Sequence, residues 1–96
     1  MGSVVGWGYD LYGQASPPSS LTNAVAVAAG YDHSLALLAD GSVVGWGDDF
    51  YGQASPPSSL TNAVAVAAGY NHSLALLDAP SVSTGWRVGR IGFSPP

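Results

Sequence analysis

Short apolar runs separated by glycine turns dominate the chain, and within them apolar and small residues alternate. In HSLALL (33–38), Leu35 and Leu37 fall on one side of an extended chain and the small residues beside them fall on the other. An Asp-Gly pair follows at 40–41, and a second apolar run, SVVGWG, occupies 42–47. Asp-Gly is a strong hairpin signal because the turn needs residues that tolerate φ > 0. The stretch 28–47 therefore predicts a β-hairpin.

An alanine-rich segment and a proline-containing segment complete the repeated unit. NAVAVAAG (23–30) is rich in alanine and could form a helix. It spans only ~8 residues between Asn and Gly and has no charged face, which favours a strand. The segment 9–20 contains Gly-Gln and Pro-Pro and predicts an irregular loop. We expect three strands in each repeated unit, and a fourth, outer strand is left open.

This pattern occurs twice. Residues 2–38 overlay residues 41–77 at a constant offset of 39 residues, and only three of the 37 positions differ. A period of about 40 residues is typical of propeller blades and of some helical repeats. We divide the chain into repeat 1 (1–40), repeat 2 (41–79) and a degenerate start of a third repeat with an irregular tail (80–96). In that tail the repeated Gly-Trp pair falls one residue late.

The repeated motifs resemble the RCC1-type repeat. The likeness is carried by AAGYDHSLALLADGSVVGWGDDFYGQ (28–53) and AAGYNHSLALL (67–77). Both follow A-A-G-x-x-H-S-x-A-L, and the first continues with a glycine turn, V-x-x-W-G and G-Q. The short period is most similar to the compact bacterial branch of this family, which includes a propeller-shaped β-lactamase inhibitor protein. The resemblance implies an all-β fold of RCC1-like β-propeller blades that bind other proteins through loops on one face.

The number of repeats limits what one chain can build. About two repeats cannot close a ring of ~4–8 blades. A blade buries its faces against two neighbours, so one chain leaves two apolar sheet faces uncovered. We therefore expect an incomplete propeller, either completed by oligomerisation or belonging to a longer propeller.

Composition and charge exclude several classes of partner. All six acidic residues are Asp, there is no Lys, the only strong bases are Arg87 and Arg90, and the net charge is −4. A phosphate backbone requires clustered Lys and Arg, so nucleic acid is not an expected partner. The absence of Cys excludes disulfides and thiolate metal sites. No apolar run approaches the ~18 residues of a membrane span and no signal peptide is visible, so we expect no membrane partner and leave localisation open.

The chemistry-bearing residues favour structural roles. His33 and His72, with nearby aspartates, could suggest a metal site or a general base. Their recurrence at blade spacing favours histidines that bond to backbone within their own blade. Each is followed by Ser, but neighbouring strand residues point to opposite faces and cannot form a dyad locally. Trp7 and Trp46 are interpreted as packing between blades. We predict no catalytic residue, cofactor or metal site, and no enzymatic activity.

The differences between the copies fall in predicted turns. Turn tips on rigid scaffolds carry function, and aromatic, Lys-poor surfaces suit protein recognition. The tyrosines identical in both copies, 12/51 and 31/70, could equally pack between blades, and this alternative stays open. The candidate protein-binding residues are Tyr9, Leu11, Tyr12, Tyr31, Asp32, Asp48, Phe50, Tyr51, Tyr70 and Asn71.

The sequence therefore predicts a non-enzymatic propeller scaffold that binds a protein partner through its turn tips. It also predicts that the chain forms a homo-oligomer or belongs to a longer propeller. The alternative is a module that binds carbohydrate or another small ligand by stacking on Trp and Tyr.

Overall fold

The computed structural model describes residues 2–78, so the expectation for 80–96 lies outside the described residues. Strands β1, β2 and β3 form an antiparallel sheet in that order, called sheet 1, and β4 and β5 form a second antiparallel pair, called sheet 2. In the described part of the chain, no helix is long and apolar enough to cross a membrane. The all-β prediction is confirmed. The strands are β1 (Ala24–Ala29), β2 (His33–Leu38), β3 (Val43–Gly47), β4 (Ala63–Ala68) and β5 (Ser73–Leu77).

The β2–β3 hairpin has the predicted Asp-Gly turn. The Gly41 N–H donates to the Leu38 carbonyl at 2.9 Å, and the Asp40 carboxylate accepts the Ser42 backbone N–H and hydroxyl. Gly41 has φ = 87°, and a Cβ there would overlap the backbone of Thr61. Glycine is therefore required both by the left-handed backbone and by the close approach of the following loop. The hairpin prediction is confirmed.

The alanine-rich segments are strands rather than helices. β1 pairs with β2, placing Val27 opposite Ala36, and a register shift between Ala24 and Ala26 marks a bulge. β4 pairs with β5 in the same way, with Val66 opposite Ala75. Pairing with the leucine-rich run gives these short segments hydrogen-bond partners that an isolated helix of this length would lack.

Two identical segments have different structures. SVVGWG at 42–47 contributes strand β3, but the same sequence at 3–8 forms no strand, and only the bridge between Gly2 and Ala24 precedes it. The expected strand in the first copy is therefore wrong. β3 forms because β2 lies beside it, and no described strand occupies that place beside residues 3–8. Sheet 1 thus combines strands from both sides of residue 40, where the sequence repeat starts again.

One face of sheet 1 is covered by sheet 2, and the other face is only partly covered, by residues that precede β1. On one face, Ala36 clusters with Leu21 and Ala24, and Trp46 is among the residues packed against them. On the other face, β4 packs against β1 and β2, and the two leucines predicted to share a side of β2 are buried there. The predicted two-sided pattern of β2 is confirmed.

Candidate functional site

An exposed aromatic surface forms where the turns of the two sheets meet. Tyr31 lies in the β1–β2 turn and Tyr70 lies in the β4–β5 turn. Their ring centroids are 4.1 Å apart with an interplanar angle of 33°, although both side chains remain exposed. The sequence left surface contact and packing between blades as alternatives. For this pair the packing is observed, because the tyrosines stack across the two sheets; their rings also remain exposed, and a role in partner contact stays a prediction.

Two further aromatic residues extend this surface from the loop after β3. The ring of Phe50 meets that of Tyr51 edge-on, with centroids 4.8 Å apart. The nearby Tyr31 raises the pKa of Tyr70 above its ordinary value of 10.0, and Asp32 and Tyr51 act in the same direction. Tyr51 thus lies near Tyr70, and Phe50 joins the group through its edge-on contact with Tyr51. We call Tyr31, Phe50, Tyr51 and Tyr70 the tip surface.

Hydrogen bonds from a buried glutamine hold the loop that carries part of the tip surface. The Tyr51 N–H donates to Gln53 Oε1 at 2.8 Å, and Gln53 Nε2 donates to the Asp48 carboxylate at 2.9 Å. The Ala54 N–H donates to Asp49 Oδ1 at 2.7 Å. Both aspartates are thus used in shaping the loop, which presents its aromatic rings in a fixed geometry.

The other candidate residues lie apart from this surface or support it. Tyr9, Leu11 and Tyr12 are exposed in the first-copy loop, and within residues 2–78 no aromatic pair includes either tyrosine. Asp32 is half-buried, and its carboxylate accepts a hydrogen bond from Gln14 Nε2 at 3.3 Å. Asn71 is exposed beside Tyr70 in the β4–β5 turn.

The buried histidine joins the two sheets. His33 is 1% exposed, and its Nε2 lies 2.9 Å from Ser73 Oγ. The Ser73 hydroxyl donates its single proton to the Gln53 carbonyl at 2.7 Å, so His33 Nε2–H is the donor to Ser73. The expectation that this histidine bonds to backbone within its own blade is corrected. It faces sheet 2, and the absence of a Cβ at Gly30 leaves room for its ring.

A glutamine carbonyl anchors the tryptophan, and sequence reasoning missed it. Gln14 O accepts hydrogen bonds from Ser34 Oγ at 2.8 Å and from Trp46 Nε1 at 2.9 Å. Trp46 therefore packs between the loop before sheet 1 and sheet 1 itself. The available signal was the Gly-Gln pair, which recurs at 13–14 and 52–53.

Equivalent leucines show which sheet faces lack a neighbour within residues 2–78. Leu35 is 1% exposed whereas Leu74 is 63% exposed, and Leu37 is 4% exposed whereas Leu76 is 64% exposed. The two exposed leucines border an open apolar groove of about 340 Å³ on sheet 2. Together with His72, which is also exposed, they form what we call the open face of sheet 2.

The residue types of a metal site do not converge in the described region. Within residues 2–78, no group of three or more His, Cys, Asp or Glu side chains could hold a metal ion. The two histidines occupy equivalent positions in the two copies of the repeat, and of the two only His33 is buried.

Comparison with known proteins agrees with this architecture. Residues 24–53 match the family model described as "Regulator of chromosome condensation (RCC1) repeat". This stretch covers all three strands of sheet 1 and the loop as far as Gln53, and its first half recurs in sheet 2 with one substitution, Asn71 for Asp32. No curated protein matches the chain. An RCC1 repeat is therefore present at residues 24–53.

Proposed function

We propose that this chain is a non-enzymatic, RCC1-type propeller scaffold that binds a protein partner through the tip surface. The observation that carries the proposal is the stacked Tyr31–Tyr70 pair, which bridges the two sheets and remains exposed. Aromatic side chains dominate binding energy at protein interfaces. Rings already held in place lose little conformational entropy on binding, so a pre-arranged tip surface favours affinity.

Charge favours a particular chemistry in the partner. The described residues contain no Lys or Arg, and Asp32 lies beside the tip surface. Tyrosine faces attract cations, most often the guanidinium group of Arg. A partner segment that carries Arg or Lys beside an apolar residue fits this surface best.

The histidine–serine geometry supports the absence of catalysis. Activation of a serine nucleophile requires that the serine hydroxyl donate to the histidine. Here Ser73 donates to the Gln53 carbonyl and accepts from the buried His33. This contact therefore joins two sheets rather than preparing a nucleophile.

We further propose that the chain belongs to the compact bacterial branch of the RCC1-type family and that copies of it associate. The 39-residue offset supports the first of these, because the chain resembles the short repeats of that branch. The uncovered leucines of sheet 2 support association between copies, through which the blades of several chains complete a propeller.

Repeat-matched variants test the tip surface. We would cross-link the wild-type chain and the variants Phe50→Ser and Leu11→Ser to proteins of a cell extract, identify the captured protein and measure its affinity in purified form. Residues 50 and 11 occupy the same repeat position, but only Phe50 belongs to the tip surface. Phe50→Ser should weaken binding by at least roughly tenfold, as expected for an aromatic hot spot, and Leu11→Ser should not. Equal affinity of the two variants would overturn the proposal.

Carbohydrate or small-ligand binding is the second candidate. A cleft of about 260 Å³ is lined in part by Trp7, Tyr9 and Gln14, and Trp7 is 83% exposed. Stacking of a sugar on this tryptophan would change its fluorescence. A saturable fluorescence response to a sugar, lost in Trp7→Ala and kept in Phe50→Ser, would replace the protein-binding proposal.

A further inference from the structure

The two ends of the described region carry complementary unpaired elements. Residues 3–8 have the sequence of 42–47, which include strand β3, but they form no strand. At the other end, β5 has the sequence of residues 34–38 in β2. β2 pairs with both β1 and β3, whereas within residues 2–78 β5 pairs only with β4. Each end thus presents half of an interface that the middle of the chain already contains.

We propose that two copies of this chain join head to tail through these elements. Residues 3–8 of the donating copy add to β5 of the receiving copy as the third strand of its sheet 2. Sheet 1 of the donating copy then covers the open face of that sheet 2. The proposal rests on the part of the proposed function that completes the blades between copies, and it names the surfaces that meet.

The internal pairing of β2 with β3 defines the register of this added strand. In sheet 1, Ser34 lies opposite Trp46. The repeat offset converts this pair into Ser73 of the receiving copy opposite Trp7 of the donating copy. The same conversion gives the other pairs. In each pair the first residue belongs to the receiving copy and the second to the donating copy: His72 with Gly8, Leu74 with Gly6, Ala75 with Val5 and Leu76 with Val4.

Two side-chain hydrogen bonds follow from the same conversion. His33 donates to Ser73 within the chain, so His72 of the receiving copy donates to Ser34 of the donating copy. The Ser34 hydroxyl already donates to the Gln14 carbonyl, which leaves its oxygen free to accept. Trp46 Nε1 donates to the Gln14 carbonyl, and the equivalent contact joins Trp7 of the donating copy to the Gln53 carbonyl of the receiving copy.

The burial of equivalent residues supports a second copy as the occupant. The side of β2 that carries Leu35 is covered by sheet 2, and the same side of β5 is open. Val27 is 59% exposed on the face of sheet 1 that meets the receiving copy, whereas Val66 in sheet 2, where that face is covered, is half-buried. Both exposed faces are therefore parts of one interface that continues the internal one.

The tail of the same chain fits this position less well. Its Gly-Trp pair at 85–86 is one residue late relative to the repeat. At the repeat offset, residues 81–86 keep only two of the six residues of SVVGWG, whereas residues 3–8 keep all six. Residues 3–8 of a second copy match the register without any slip.

A head-to-tail contact uses different surfaces on the two copies, so further copies can be added until the assembly closes. Each chain brings two sheets. A closed propeller has ~4–8 blades, which corresponds to about two to four chains. The expected assembly is a ring of this size.

Complementary variants test the pairing. Leu74→Glu disables only the receiving side, and Trp7→Glu disables only the donating side. Each variant alone should be monomeric, with a β-rich circular dichroism spectrum, at concentrations where the wild type assembles. A mixture should form a 1:1 heterodimer, because one intact receiving side meets one intact donating side. Native mass spectrometry resolves its composition, and Leu11→Glu, an exposed loop substitution, should assemble like the wild type.

Three outcomes would overturn the proposal. The variants could keep the wild-type mass, or their mixture could form no heterodimer. The wild type could also be a monomer in which the β5 amides are protected from exchange, and its own tail would then be the occupant. The tip variant Phe50→Ser should assemble normally, so failure of partner binding and failure of assembly are distinguishable.

A double-mutant cycle tests the atomic contact. His72→Ala is placed in the receiving copy (with Trp7→Glu) and Ser34→Ala in the donating copy (with Leu74→Glu). The two substitutions should be coupled, with an interaction of roughly threefold to tenfold in the heterodimer Kd, as expected for one hydrogen bond. Independent effects would contradict the assigned His72–Ser34 contact.

Discussion

Leu35 and Leu74 occupy the same position in the two copies, with the same neighbours in sequence, and differ only in what covers them. Leu35 lies under sheet 2 and is 1% exposed, whereas Leu74 is 63% exposed. The effect of the neighbouring sheet on one leucine can therefore be measured inside a single molecule.

We expect Leu35→Ala to lower the free energy of unfolding by about 2–5 kcal/mol, the usual cost of removing a buried leucine side chain. Leu74→Ala should change it by less than about 0.5 kcal/mol, as exposed substitutions usually do. The measurement is urea unfolding at a dilution where the chain is monomeric. Equal losses for the two variants would contradict the difference in burial.

The acid titration of Asp40 reports the turn between β2 and β3. The Ser42 hydroxyl, followed by the Ser42 N–H, holds the pKa of Asp40 below its ordinary value of 3.8. Because the folded pKa lies below the unfolded one, this contribution to stability is present above pH 3.8 and is lost as the pH falls through the folded pKa.

Ser42→Ala should therefore raise the pKa of Asp40 towards 3.8, because it removes the largest cause of the shift. Ser3→Ala changes the equivalent residue of the first copy and should leave that pKa in place. The carboxyl resonance of Asp40, followed by NMR through acid pH, measures both. An unchanged Asp40 pKa in Ser42→Ala would show that the hydroxyl does not stabilise the carboxylate.

Sequence reasoning identified the aromatic residues of the candidate site but not the residues that hold them. Tyr31 and Tyr70 follow from the aromatic turns, whereas the roles of Gln14 and Gln53 depend on which carbonyl meets which donor. The contact between His33 and Ser73 joins residues 40 positions apart, on two different sheets. No local sequence pattern predicts a contact between residues so far apart in the chain, because the packing of the two sheets determines it.

At the scale of elements, the contrast between residues 3–8 and 42–47 shows that strand formation here depends on a partner. The alternation and the Asp-Gly turn predict the β2–β3 hairpin because the information is local. A strand at 3–8 could not be judged from its own sequence, since the identical sequence forms β3 beside β2. What differs is the presence of an adjacent strand.

Hydrogen exchange measures this dependence directly. Residues 44–46 and 5–7 have the same sequence, and so nearly the same intrinsic exchange rates. In dilute monomer, the amides of Val44 and Trp46, which face β2, should exchange at least roughly tenfold more slowly than those of Val5 and Trp7, because they belong to a paired strand. At concentrations where copies associate, the amides of Val5 and Trp7 should become protected as well. Equal, fast exchange in both segments would contradict the assignment of β3.

The glycine turn before β3 can be tested by substitution. Gly41→Ala should cost about 1–2 kcal/mol or more, because Ala must adopt φ = 87° and its Cβ meets the Thr61 backbone. Gly2→Ala is the repeat-matched control, and its nearest neighbour would be the Ala24 carbonyl oxygen at an ordinary 3.9 Å. Thermal unfolding of both variants provides the comparison. Equal melting temperatures would contradict the constrained turn.

At the scale of the whole molecule, the two-copy sequence predicts both the blade-like sheets and their uncovered faces. A nearly identical repeat implies that neighbouring units use the same interface, and within residues 2–78 the two sheets each expose one half of it. The sequence could not show which residues form each half. That assignment required the packing of sheet 2 on β2 and the pairing of β3 with β2.

The tip surface depends on the packing of both sheets, because the Tyr31–Tyr70 stack crosses from one sheet to the next. Each added copy would place another tyrosine pair beside the last. A longer assembly would then present a row of aromatic pairs on one face. Partner affinity should rise with the number of joined copies when the partner contacts more than one pair.

The most direct test of joining between copies is the solution mass of the purified chain, measured by light scattering over a range of concentrations. Head-to-tail joining predicts a β-rich assembly of about two to four chains that dissociates to monomer on dilution. A folded monomer at every concentration, with β5 protected from exchange, would contradict joining between copies. The open face of sheet 2 would then be covered within the chain itself.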